Sequence, residues 1–122
     1  MQANNMKQIK IKYSPIFEEQ LEKLKEVIEE KNSKFHNQLL VAIEREKNNL
    51  FVNPHHGIQV PKKQIPNEYI TKYDVTNLWK INLPEYWRMM YTITGNELEI
   101  ISILLEFMDH KRYDKVFGYK HF

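Results

Sequence analysis

Five cations, a histidine and a tyrosine in the last third of the chain are the side chains best suited to work on a phosphate: Lys80, Arg88, His110, Lys111, Arg112, Tyr113 and Lys115. A guanidinium such as that of Arg88 can grip a phosphate through two parallel hydrogen bonds, which suits spread transition-state charge better than a lysine's point charge. His110 titrates near neutrality and can act as general acid or base. Tyr113 can orient a phosphate or stack on a base, and Lys111, Arg112 and Lys115 can hold a nucleic-acid backbone. Each residue also has a plain structural reading. Arg88 could pair with Glu97, Glu99 or Glu106, His110 could cap a helix, and Tyr113 could fill a core beside Phe117. Lys80 joins Arg88 only if their two strands pair in the right register.

His55 and His56, with His110, invite a metal reading. Adjacent residues of an extended chain point to opposite sides, and there is no cysteine and no HxxxH spacing, so a loop histidine pair without metal is the expectation. Trp79, Trp87 and Phe107 are expected to be core aromatics.

The elements that must position these groups can be read in order. QIKIKY at residues 8 to 13 alternates polar and apolar, the period of a half-buried strand. Ser14 and Pro15 supply a cap and a first-turn proline for a helix to about Glu30, with Phe17, Leu21, Leu24 and Ile28 on one stripe. After the polar link Lys31-Asn32-Ser33, the residues Phe35, Leu39, Ala42, Ile43 and Leu50 repeat the stripe, so a helical hairpin laid on a sheet is expected. Residues 51 to 77 hold three of the five prolines and show no periodicity, which predicts a long loop. Leu78 to Leu83, Trp87 to Thr94 and Leu98 to Met108 then read as an antiparallel meander of three strands. Little alternation in IISILLEF makes the last of these central and covered on much of both faces, with a helix as the competing reading of that run. Asp109 caps a short helix in which His110, Tyr113 and Phe117 share a side.

The predicted architecture is therefore α+β: an N-terminal strand, a helical hairpin, the meander and a short C-terminal helix, in one domain with an ordered core from about 8 to 119. At 122 residues and 42% apolar content the chain has room for one modest core. The absence of cysteine fits a reducing compartment, the cytoplasm by default. No apolar run reaches the length of a membrane span, and MQANNMKQIK lacks the apolar stretch of a signal peptide. A net charge of +2 permits nucleic-acid binding without requiring it. Residues 1 to 13 carry three lysines and no acid, while residues 14 to 49 carry six basic and eight acidic groups, so any basic face lies outside the hairpin.

The stretch from Leu78 to Tyr119 resembles the C-terminal half of the RelE/ParE toxin superfamily, especially its RelE, HigB and YafQ-like branches. Its Tyr86-Trp87-Arg88-Met89-Met90-Tyr91 matches a Tyr-Arg strand motif with one inserted tryptophan, and His110-Lys111-Arg112-Tyr113-Asp114-Lys115 matches the His and Tyr run that follows the last strand. The Asn53-Pro54 to Gly57 segment also agrees. The resemblance implies the toxin of a toxin–antitoxin pair, a metal-independent endoribonuclease that cuts messenger RNA on the ribosome by driving the ribose 2′-hydroxyl against its own phosphate. Arg88, His110 and Tyr113 would be catalytic, and Lys80, Lys111, Arg112 and Lys115 would bind RNA, with Lys80 standing where some relatives have paired lysines. No cofactor is implied. The partners implied are a small antitoxin, forming a hetero-oligomer with the toxin, and messenger RNA with the ribosome. Two alternatives remain open: a ParE-like inhibitor of DNA gyrase, and an inactive domain that only receives a partner.

Overall fold

A computed structural model describes residues 7–118. The alternating segment forms strand β1 (Gln8–Tyr13), and Ser14, in extended conformation, ends it and caps helix α1 (Pro15–Lys31) by accepting from the Phe17 amide. Asn32 closes α1 in the left-handed region, and Ser33 caps α2 (Lys34–Val52) two residues after α1 ends. So short a link leaves the helices no choice but to fold back on each other. Strands β2 (Ile58–Gln59), β3 (Trp79–Asn82), β4 (Arg88–Gly95) and β5 (Glu99–Met108) follow, with α3 (Asn67–Tyr73) between β2 and β3 and α4 (His110–Phe117) at the end. The α+β order expected from the sequence is the order observed.

All five strands lie in one sheet, ordered β1-β5-β4-β3-β2. The meander β3-β4-β5 is antiparallel, as expected, while β1 is parallel to β5 and β2 adds an antiparallel edge to β3. β5 is thus an inner strand, and seven of its ten residues are buried. One face takes the helical hairpin: Phe17, Leu21, Leu24, Leu39, Ile43 and Leu50 pack on Ile81, Met89, Tyr91, Leu104 and Phe107. Burying each such side chain contributes about 1.5 to 3 kcal/mol.

The expectation of a long loop with short extended pieces over residues 51–77 is corrected in its helical parts. α2 continues to Val52, and the segment then forms β2, a 3-10 turn at Lys62–Gln64 and α3. Its apolar residues Val60, Ile65, Tyr69, Val75 and Leu78 cover the second sheet face with Met90, Leu105, Met108 and Tyr113 of β4, β5 and α4. They stand three to six positions apart in no regular order, sustaining neither the period of 2 nor that of 3.6, which is why the pattern looked empty. Tyr119, the end of the stretch singled out above, lies outside the described residues. Among the described residues, no helix is long and apolar enough to cross a membrane.

β1 pairs only as far as Tyr13 opposite Leu104, so β5 would expose its outer edge from Leu105 onward. Side chains of α1 take over where the strand stops. Ser14 Oγ donates to the Leu105 carbonyl at 2.6 Å, while the Gln20 amide donates to the Phe107 carbonyl at 2.8 Å and accepts from the Phe107 amide at 2.9 Å. A register shift between Met90 and Tyr91 leaves Leu105 unmatched on β4, so Ser14 satisfies the carbonyl of the bulge itself. Gln20→Leu keeps the volume and leaves both Phe107 groups without a partner. Its unfolding free energy is expected to fall by about 1 to 3 kcal/mol, read as a lower urea midpoint at unchanged slope.

Candidate functional site

Register decides which of the candidate residues meet. Asn82 lies opposite Arg88 and Lys80 opposite Met90, so Lys80 and Arg88 stand two positions apart on the sheet face away from the hairpin. α4 crosses that face and buries Tyr113 between them. Lys80 Nζ donates to Tyr113 Oη at 2.8 Å, and Lys80 Nζ and Arg88 Cζ each sit 5.1 Å from the centre of the Tyr113 ring. Three of the predicted site residues therefore converge on one aromatic ring, which holds two cations by its negative face. Among the described residues, neither cation has a carboxylate within ion-pair distance. Glu99 pairs with Lys10, and Glu106 accepts from Tyr73 Oη at 2.7 Å and lies 3.9 Å from Lys72 Nζ.

Much of this cluster is already engaged. Tyr113 is buried and stacks on Phe117 with ring centres 4.5 Å apart. Arg88 Nη1 donates to the backbone carbonyls of Tyr86 at 2.7 Å and Trp87 at 3.2 Å, while its Nε is buried without a partner. His110, at the start of α4, is exposed and meets the Tyr86 ring edge-on at 6.3 Å. Lys111 and Lys115 are exposed, and Arg112 pairs with Glu68 of α3, tying the two helices together.

β3 and β4 are joined by a tight turn at Pro84–Tyr86 whose conformation is unusual. Glu85 and Tyr86 both take positive φ, 57° and 63°, closed by a hydrogen bond from the Trp87 amide to the Pro84 carbonyl. Such a turn ordinarily carries Asn or Gly, and side chains with a Cβ are strained there. A cleft of about 530 Å³ opens beside it, lined by Asn82, Leu83, Glu85, Tyr86 and Arg88. In the sequence Tyr86 stood out only as the start of the Tyr-Arg strand motif, and nothing there marked its left-handed backbone.

His55 and His56 diverge. The His55 ring meets Trp79 edge-on at 5.2 Å, and His56 Nε2 lies 2.8 Å from Glu46 Oε1 on α2. On either side of them the chain is pinned to β4, since Tyr91 Oη donates to the Pro54 carbonyl at 2.8 Å and accepts from the Gly57 amide at 3.0 Å. A Cβ on Gly57 would stand 2.8 Å from both the Lys80 carbonyl and Tyr91 Oη, so glycine is required by close approach. Burial pushes the Tyr91 phenol up to about 12. Trp79 and Phe107 are buried, and Trp87 packs half-buried on the hairpin core.

A family model for the ParE toxin of type II toxin–antitoxin systems, parDE, matches residues 11–109. The chain belongs to that family. No curated protein matches it. The expected superfamily is therefore present, but in its ParE member and not in the RelE branch. As a ParE family toxin, the protein has a cognate antitoxin as partner. The matched stretch takes in Lys80 and Arg88 and stops one residue short of His110, leaving all of α4 beyond it.

Glu46 of this ParE family toxin is a buried carboxylate that sequence reading passed over, because a glutamate among the charges of α2 looks solvated. Burial raises its pKa, but hydrogen bonds from Asn49, His56 and Arg45 outweigh that and hold it below the ordinary value of 4.5. Because its folded pKa is depressed, its contribution to stability is complete above 4.5 and is lost as pH falls through the lower folded value. In thermal melts across an acid series, Glu46→Gln is expected to melt lower than the parent near neutrality and to converge on it in acid.

Proposed function

We propose that this chain is the toxin of a type II pair that acts by binding and inhibiting DNA gyrase. The family match over residues 11–109 carries the reading, since ParE-type toxins are directed at gyrase. The geometry of the predicted site supports it over RNA cleavage. Attack of a 2′-hydroxyl on phosphate needs a free charge clamp, a proton acceptor and a proton donor around one phosphorus. Here Arg88 turns two of its contacts onto backbone carbonyls, Tyr113 is buried and holds Lys80, and His110 stands apart beside Tyr86.

One observation favours the second reading, a metal-independent ribonuclease acting on messenger RNA at the ribosome. Lys80 and Arg88 are cations without a carboxylate partner among the described residues, and Lys111 and Lys115 are exposed on α4, the helix whose Tyr113 meets both. A phosphate could complete that set.

The two readings separate on purified components. The protein is expected to block supercoiling by gyrase and to leave messenger RNA on ribosomes intact. Cleaved RNA with unimpaired supercoiling would falsify the gyrase reading. Tyr113→Phe sharpens the comparison: a catalytic role predicts a loss of about 10²- to 10⁴-fold, whereas growth inhibition by this variant is expected to stay close to the parent's.

A further inference from the structure

The hairpin tip at Glu85–Tyr86 combines strain, exposure and rigidity in a way the fold does not need. Two consecutive residues other than glycine occupy the left-handed region, a costly conformation that persists only where the surroundings enforce it and that clusters at functional sites. The Arg88 guanidinium enforces it, donating to the Tyr86 and Trp87 carbonyls from inside the hairpin. The product is a tyrosine whose residue surface is 71% exposed on a backbone that cannot swing away.

An exposed, immobilised tyrosine is the side chain most suited to anchor a protein interface: it brings a large apolar area with a polar tip and loses little rotamer freedom. Resting on the reading of this chain as a toxin with a protein target, we propose that Tyr86, held outward on the strained tip by Arg88, is the aromatic anchor through which the toxin engages that target. The rim of the cleft argues for protein over nucleic acid. Its carboxylate, Glu85, opposes a phosphate backbone, and Arg88, the only cation lining it among the described residues, donates to carbonyl oxygens. The cleft is lined from Asn82 to Arg88 by this one hairpin, room for one or two side chains of a partner. An antitoxin segment that wraps the toxin needs a groove crossing several elements, such as the one between α2 and Pro84 lined by Lys34, Gln38, Val41 and Arg45. Arg88 thereby acts as a positioning residue, which explains why its Nη1 donates to the turn's own carbonyls.

The test uses the full chain and its antitoxin, with Tyr86→Asn, Tyr86→Phe and, as control, Leu98→Ser at the exposed far end of the sheet. Asparagine tolerates positive φ, so Tyr86→Asn removes the ring without straining the turn and is expected to melt no lower than the parent. It is expected to raise the toxin dose that halves growth by roughly 30-fold or more, the loss typical of an interface anchor, with antitoxin affinity unchanged. Tyr86→Phe and Leu98→Ser are expected to remain toxic. Full toxicity of Tyr86→Asn overturns the proposal, as does toxicity lost only together with the fold or with antitoxin binding. Because toxicity is read in cells, a parent protein that fails to inhibit gyrase removes the gyrase reading and leaves this result interpretable.

Discussion

The outer edge of β5 is the constraint on which the rest of the molecule depends. β5 is buried along most of its length, so each of its backbone groups must find a partner inside the protein. On one side β4 supplies them except at the bulge, where Leu105 has no counterpart. On the other β1 supplies them only to Leu104, and beyond that Ser14 and Gln20 of the α1 segment stand in for the missing strand. One residue, Ser14, therefore ends a strand, starts a helix and closes a bulge. This fixes where α1 begins over the sheet, and through the two-residue link it fixes α2 as well.

The second face is organised by aromatic rings instead of a helix pair. Tyr113, Phe117, Tyr69 and Tyr73 contact one another in sequence, and the last donates to the buried carboxylate of Glu106. Burial and the neighbouring carboxylate both drive the Tyr73 phenol well above its usual range. Lys80 and Arg88 sit at the near end of this chain of rings, so the cations of the candidate site are placed by the same packing that seats α3 and α4. A site built this way is rigid before any ligand arrives.

Elements whose own sequence carries both period and punctuation were readable in advance: β1, the hairpin with Ser14 as cap and a polar link at 31–33, the meander, and α4 behind Asp109. The covering of residues 58–75 was not, because its apolar residues are spaced by tertiary fit and announce no period. Convergence of Lys80, Arg88 and Tyr113 could be named but not decided, since a one-residue slip would have sent Lys80 to the hairpin side. Glu46 and the backbone of Tyr86 escaped notice for opposite reasons. A glutamate on a charged helix gives no sign of burial, and the left-handed turn lacks the glycine or asparagine by which such turns are recognised.

Pairing of β1 with β5 also sets a timetable. The strand at residues 8–13 finds its partner only at residues 99–104, so synthesis from the N-terminus delivers the hairpin, with Leu21, Leu24, Leu39 and Ile43 uncovered, long before the sheet that will cover it exists. So non-local a closure is slow relative to local helix formation. A growing chain of this toxin is therefore sticky early and armed late. For most of its synthesis it presents apolar helix faces to whatever is nearby, and it becomes a finished poison only when its last strand slides between its first and its penultimate strand.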